Sequence, residues 1–352
     1  MFSSFHPEDV TLLLKDISGM IQPLDTEERE RQIQSGIHYS EMLPLEYEPT
    51  EEYMRAYRRA LSAFAEVTAT AVAKTAEKIW EVYGEKVVLV SLARAGTPIG
   101  ILLKRYLDGR YDCSVPHYSI SIIRGKGIDR NAMDYLLKKH LPSSLCFVDG
   151  WTGKGAIQNQ LDIAMKDYAN VNPKLAVLSD PACVAGIYGT RDDFLIASSC
   201  LNATVSGLIS RTFYRSDIIG EHDFHGAAFY ADLKEKDCTY QFIDSIVSRF
   251  PDGLAAEADK STSVVNGAGL EEALEIQRHF GIESINFVKP SVGEATRVLL
   301  RRVPWKILVR SLNDDTHIGH LYQLAKEKHV EVIEYPLRHY RACGLIHSVA
   351  DA

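Results

Sequence analysis

Between Pro49 and Tyr83 apolar residues recur at helical spacing (Tyr53, Tyr57, Leu61, Phe64, Val67, Val72, Ile79), which predicts one long helix or two joined helices. Beyond it the pattern changes to short apolar runs separated by helical stretches. Strands are expected at 86–92, near 115–123, at 145–149 and at 174–179, with helices at 98–107, 130–139 and 154–169. Such alternation calls for a mainly parallel sheet covered on both faces, because each parallel connection has to cross over the sheet. Residues 193–199 and the helical stretch 240–250 extend or cap that sheet in an order the pattern leaves open. Upstream, residues 7–16 carry a helix-start pattern, and 26–32 read as a charged exposed helix or loop.

A polar, turn-rich stretch, Pro251-Asp-Gly and then Glu257-Ala-Asp-Lys-Ser-Thr-Ser263, marks a domain boundary. A second alternation follows: helix 269–280, strand 284–288, helix 292–302, strand 305–310, helix 316–328 and strand 330–334. The expected organisation is a domain at 1–250 with a helical N-terminal extension, then a small three-layer α/β module at 262–352 that folds by itself.

Composition narrows the classes. With 46% hydrophobic and 24% charged residues, and no apolar run near bilayer length, membrane proteins are excluded. The N-terminus has no basic region leading into an apolar stretch, so a cytoplasmic location is expected. Six cysteines, at 113, 146, 183, 200, 238 and 343, form no C-x-x-C pair, which argues against a disulfide framework or a cysteine zinc site and for buried reduced thiols. Cys200 has two readings, a nucleophile beside one of the histidines or an inert buried thiol, and its apolar surroundings favour the second. His222-Asp-Phe-His225 lacks a third ligand at defined spacing, so capping or surface histidines are favoured over a metal site. A net charge of −8 gives no global pull on nucleic acid, so any such partner needs a local basic face.

Two strand ends carry the chemistry. The run 86–92 breaks into Ala93-Arg-Ala-Gly96, and the run 145–149 ends in Asp149 followed by Gly150-Trp-Thr-Gly-Lys-Gly155. A buried strand, a glycine-bearing loop and a helix start turn backbone N–H groups toward an anion. Two such loops on one sheet suggest a substrate with phosphates at both ends, and phosphoribosyl pyrophosphate is such a molecule. Arg94 would fork onto a diphosphate, its alternative being an exposed loop arginine. The second loop is not a nucleotide-triphosphatase loop, because Gly155 stands where Ser or Thr is needed. Asp180-Pro181 lies after a predicted strand, as an acceptor contact or only a turn.

Asp149 with the small residues after it resembles the ribose-phosphate signature of type I phosphoribosyltransferases over roughly residues 50–240. The resemblance implies that Asp149 meets the ribose hydroxyls and that Thr152, Gly153, Lys154 and Gly155 hold the 5′-phosphate, with Gly150 among the expected substrate contacts. It implies that Ala93, Arg94, Ala95 and Gly96 hold the pyrophosphate, and that Arg124 and Lys126 close over it as a catalytic hood. A hairpin tip is the alternative for that last stretch. Mg²⁺ would ride on the substrate, and the phosphoribosyl group would pass to an unidentified base or related acceptor. The signature usually has two adjacent acids, whereas Gly150 follows Asp149 here.

The segments Gly36-Ile-His-Tyr-Ser-Glu-Met-Leu-Pro44, Ser91–Pro98, Phe147–Gly155 and Tyr340-Arg-Ala-Cys-Gly344 resemble the StiP family of tellurite-resistance and stress operons. That family resembles phosphoribosyltransferases fused to a Pelota-like RNA-binding domain, and it also carries a cysteine protease label. In the C-terminal module Ser291, Gly293, Glu294 and Arg297 stand where the kink-turn pattern G-x-N-E-x-x-K has Gly, Asn, Glu and Lys. Gly293, Glu294, Arg297 and Arg301 are the RNA contacts this implies, structured RNA is the implied partner, and a homodimer stays open. The expectation is a phosphoribosyltransferase. Its rivals are a cysteine hydrolase and a non-catalytic ligand sensor or RNA adaptor.

Overall fold

One continuous helix occupies the long periodic stretch. Thr50 caps its start through a hydroxyl that accepts the Tyr53 N–H, and Gly84 ends it at φ +57°. The computed structural model describes residues 2–252 and 267–346, so the expected linker at Glu257–Ser263 lies outside the described residues. In chain order the first part contains β1 (Thr11–Leu12), β2 (Lys15–Asp16), α1 (Thr26–Gln34), α2 (Glu51–Tyr83), β3 (Val88–Ala93), α3 (Gly96–Tyr111), β4 (His117–Ile123) and β5 (Gly127–Ile128). It continues with α4 (Arg130–Lys139), β6 (Leu145–Trp151), α5 (Ala156–Ala164), β7 (Leu175–Ser179), β8 (Ile187–Thr190), β9 (Gly226–Ala227) and α6 (Thr239–Val247). The second part contains α7 (Ala268–His279), β10 (Val288–Pro290), α8 (Val292–Arg301), β11 (Pro304–Val309), α9 (Asp315–Glu327), β12 (Glu331–Glu334) and β13 (Ala342–Ile346).

The main sheet runs β1-β4-β3-β6-β7-β8, every neighbouring pair parallel, with β5 folded back antiparallel on β4. Alternate strand residues serve two cores. Leu89, Cys146, Val148, Ala176 and Leu178 face α2 and α3, while Val88, Val90, Phe147 and Val177 face Met133 and Leu136 of α4 and Leu161 of α5. This is the mixed α/β class that the alternation predicted. Residues 7–16 differ from expectation: the stretch forms β1 and β2, because pairing with β4 and β9 satisfies a backbone too short to nucleate a helix.

The second part has its own sheet, β10-β13-β11-β12, in which β13 runs antiparallel to both neighbours. Its core is not closed. Val292, Ala295, Val298 and Leu299 of α8, with Ile318 and Leu321 of α9, belong to the same buried apolar cluster as α2 and α3. At the centre of this seam the buried Asp193 carboxylate accepts the Val292 N–H at 2.9 Å and the Arg341 N–H at 2.9 Å. The carboxylate thereby sits on the N-terminus of α8, where the helix dipole favours negative charge.

A candidate site along the seam between the two sheets

The chain leaves β3 for β4 on one side and returns to β6 on the other, so the crevice at the carboxyl ends of β3 and β6 is a topological switch point. Both glycine-bearing loops meet there. Gly96 is required by packing, since a Cβ would come within 2.7 Å of the Val148 carbonyl oxygen. Ala93, Arg94, Ala95 and Asp149 line one cavity of about 310 Å³. Burial pushes the Asp149 pKa up to about 6, against the Gly150 N–H donor and nearby Arg297.

Much of the polar equipment of these loops is engaged within the protein. Arg94 donates to the Ile209 carbonyl at 2.9 Å and lies 3.8 Å from Glu46. Thr152 donates to Asp180 at 2.6 Å. Lys154 donates to the carbonyls of Ile285 and Val288, and burial, then Lys289, lowers its pKa to about 8. Gly153 accepts the Tyr340 hydroxyl at 2.7 Å, and Gly155 takes φ +77° to start α5. Arg124 and Lys126 lie in the turn between β4 and β5. The Arg124 N–H donates to the Tyr39 hydroxyl at 3.0 Å, and Lys126 pairs with Glu41 at 3.1 Å.

The C-terminal candidates face the first sheet. Ser291 caps α8 by accepting the Glu294 N–H, and Gly293 lies against the Trp151 ring. Arg297 pairs with Glu294 at 3.1 Å and stacks 4.6 Å over Trp151. Arg301 donates to Asn202 at 2.5 Å and to the Ser199 carbonyl at 3.1 Å. Burial opposes ionisation of Glu294, yet Arg297 and Lys289 hold its pKa below the usual range. Arg297 and Arg301, expected from the resemblance as RNA contacts, therefore lie between the two parts of the chain and join Arg94 and Asp149 in one crevice.

Sequence reasoning missed a different pair. Between β7 and β8 the Asp180 carboxylate accepts Thr152 Oγ1, the N–H groups of Val184 and Ala185, and Arg191 Nη1 at 2.6 Å. This fixes the turn so that Cys183 adopts φ +58°, a backbone state costly for a side chain with a Cβ. Cys183 Sγ lies 4.0 Å from His339 Nδ1, and among the described residues it is the thiol that meets an imidazole. Burial raises the thiol pKa and the Arg191 guanidinium opposes that rise. Arg191 Nε has no hydrogen-bond partner among the described residues. Glu272 holds the opposite loop by accepting the N–H groups of Arg338 and His339. Gly269 allows α7 to close on the turn, since a Cβ there would fall 2.5 Å from Ala182 Cα. Cys200 matches its inert reading: it is buried, and burial pushes its pKa up to about 12. His225 meets Ser121 at 2.8 Å, and among the described residues no group of three or more His, Cys, Asp or Glu is placed to hold a metal ion. No described helix is long and apolar enough to cross a membrane.

The family model described as "Tellurite-like stress resistance cysteine protease StiP" matches residues 3–247. The chain belongs to the StiP family. A model of the PELOTA RNA binding domain matches residues 267–348. The protein described as "Cysteine protease StiP" from Acinetobacter baylyi is 38% identical over 363 residues, covering 97% of this chain and 93% of that relative. These findings overturn the phosphoribosyltransferase expectation, because the family and the relative both carry the description of a cysteine protease. The expectation of phosphoribosyl pyrophosphate with magnesium rested on that reaction. The crevice geometry explains why the loops misled: a strand, a glycine and a helix start also serve close packing, as Gly96 and Gly155 do here.

Proposed function

We propose that the protein is a cysteine hydrolase of peptide bonds, with Cys183 as nucleophile and His339 as base, and that its C-terminal module binds RNA. The observation that carries the first part is the approach of Cys183 Sγ to His339 Nδ1 on a turn held by Asp180. The thiol proton passes to His339, the sulfur attacks the substrate carbonyl carbon, and the C–S bond forms. The peptide C–N bond then breaks as His339 returns the proton to the departing amine. Water hydrolyses the thioester and restores the thiol. Arg191 favours the thiolate, and a contact of 4.0 Å is of the loose kind that tightens on a bound substrate.

The test is hydrolysis of unfolded casein by the full chain, its Cys183→Ser variant and its His339→Ala variant, each checked for an unchanged circular dichroism spectrum. Losses of about 100-fold or more are expected in both, the scale of removing a nucleophile or its base. Wild-type rates in a folded Cys183→Ser protein would place the nucleophile elsewhere. The RNA part is supported by the match over residues 267–348.

A further inference from the structure

A cavity of about 330 Å³ lies where the N-terminal segment, the loop after Cys200 and the end of α8 meet. Arg29, Arg94, Arg211, Arg301 and Arg302 line it. Two carboxylates share the lining, Glu46 and Glu48, and Glu48 is paired with Lys236 at 2.7 Å. Arg29 and Arg302 make interactions of their own, while Arg94, Arg211 and Arg301 share the lining with Glu46, which lies 3.8 Å from Arg94, in a chain whose net charge is −8. Burying like charges together is costly without a counterion. Arg211 and Arg301 register that cost: burial and then neighbouring arginines lower their pKa values to about 10 and about 9.

Two further observations point to an anion. Thr204, 2% exposed, lines the cavity with a hydroxyl that has no hydrogen-bond partner among the described residues, and Arg211 Nε is in the same condition. The cavity also continues along the seam. Arg94 and Arg301 are shared with a second cavity of about 310 Å³, and Asp149 and Arg297 link that one to a third of about 310 Å³ that adds Arg124, Lys154 and Lys289. A row of cations suits a chain of phosphates better than one compact anion. Tyr47, 60% exposed at the mouth, offers a ring face on which a base can stack.

We propose that this arginine groove seats a single strand of RNA, held jointly by the StiP region and the C-terminal module. The inference rests on the RNA-binding part of the reading above and is independent of the hydrolase part. Arg29, Arg211 and Tyr47 lie outside the residues that match the RNA-binding domain, so they separate the two.

The experiment is fluorescence anisotropy of a labelled RNA of roughly ten nucleotides with the full chain, across a salt series. The double variant Arg29→Ala/Arg211→Ala is expected to bind about 10- to 100-fold more weakly. The slope of log affinity against log salt should become shallower by about 1.4, two lost phosphate contacts at about 0.7 each. Tyr47→Ala, at an exposed site that leaves the core intact, should weaken binding about tenfold without changing the slope. Wild-type affinity and slope in both variants, with binding lost in Arg302→Glu, would confine RNA to the C-terminal module and overturn the inference alone. A wild-type chain that binds tripolyphosphate but no RNA at low salt would overturn the RNA reading as well, leaving a small-anion pocket. Casein hydrolysis by the same variants is expected to match wild type.

Discussion

The two ends of the seam solve the same problem in opposite ways. At the Asp180 turn one carboxylate gathers four donors, Gly269 lets α7 close, and Tyr340 reaches the Gly153 carbonyl, so the polar groups there are largely paired. At the arginine end five arginines line one cavity with Glu46 and Glu48, and Arg211 Nε and Thr204 Oγ1 have no hydrogen-bond partner among the described residues. The first end is built to hold a geometry and the second to receive a charge. Each end has a cysteine. Both are buried, but Cys183 has an imidazole and a guanidinium beside it, whereas Cys200 lies at the wall of the arginine cavity with no imidazole contact among the described residues.

That contrast gives the largest expected effect. With a pKa of about 12, Cys200 is about one part in ten thousand thiolate at pH 8, and the thiolate is the species that alkylates. Burial raises the Cys183 thiol pKa as well, but Arg191 opposes that rise, so iodoacetamide on the folded protein should modify Cys183 faster than Cys200, read by peptide mass spectrometry. Labelling of Cys183 should rise with pH as its thiol ionises, and Arg191→Ala should slow it by removing the cation that opposes burial. Equal labelling of both thiols would erase the distinction between the two ends.

The middle of the seam is sharpened by pH. Burial pushes the Asp193 pKa up to about 6, in spite of the Val292 and Arg341 N–H donors. An unfolded aspartate titrates near 3.9. A raised folded pKa means that this group's stability contribution is complete below about pH 4 and is lost as pH rises through about 6. A shift of about 2 units corresponds to about 3 kcal/mol. Asp193→Asn does not titrate, so the wild type's margin over that variant, from urea unfolding, should be widest near pH 4 and narrow by up to about 3 kcal/mol by pH 7. A margin independent of pH would mean that Asp193 is held ionised by its donors throughout.

Most elements were legible because their patterns are local. The helix expected at 130–139 is α4, and the stretch 49–83 is α2 to within two residues at its start. β13 was missed although it is an inner strand of the second sheet: Ala-Cys-Gly-Leu-Ile is buried along nearly all its length and carries no alternation. The run at 193–199 ends in a short 3-10 turn, 197–200, packed against α2 and α8. The site was legible in part. Arg94, Asp149, Glu294 and Arg297 do converge, but from loops whose chemistry was read as phosphate binding. Cys183 and His339 are 156 residues apart, with no spacing that links them, and only the fold of α7 and β13 onto the first sheet brings them together.

The smallest effect tests whether the turn end is rigid. Tyr340 is fully buried, and its hydroxyl donates to the Gly153 carbonyl at 2.7 Å across the seam. Tyr340→Phe keeps the ring packing and removes one donor, so stability should fall by about 1 kcal/mol, read from urea unfolding. Casein hydrolysis should stay within about threefold of wild type, because the Asp180 carboxylate and Glu272 hold the two sides of the Cys183–His339 pair and neither depends on that hydroxyl. Should hydrolysis drop with the stability, the pair is held by closure of the seam as a whole. The contrast would then lie between a closed end and an open end of one hinge, and RNA at the arginine end would be expected to alter the hydrolysis rate.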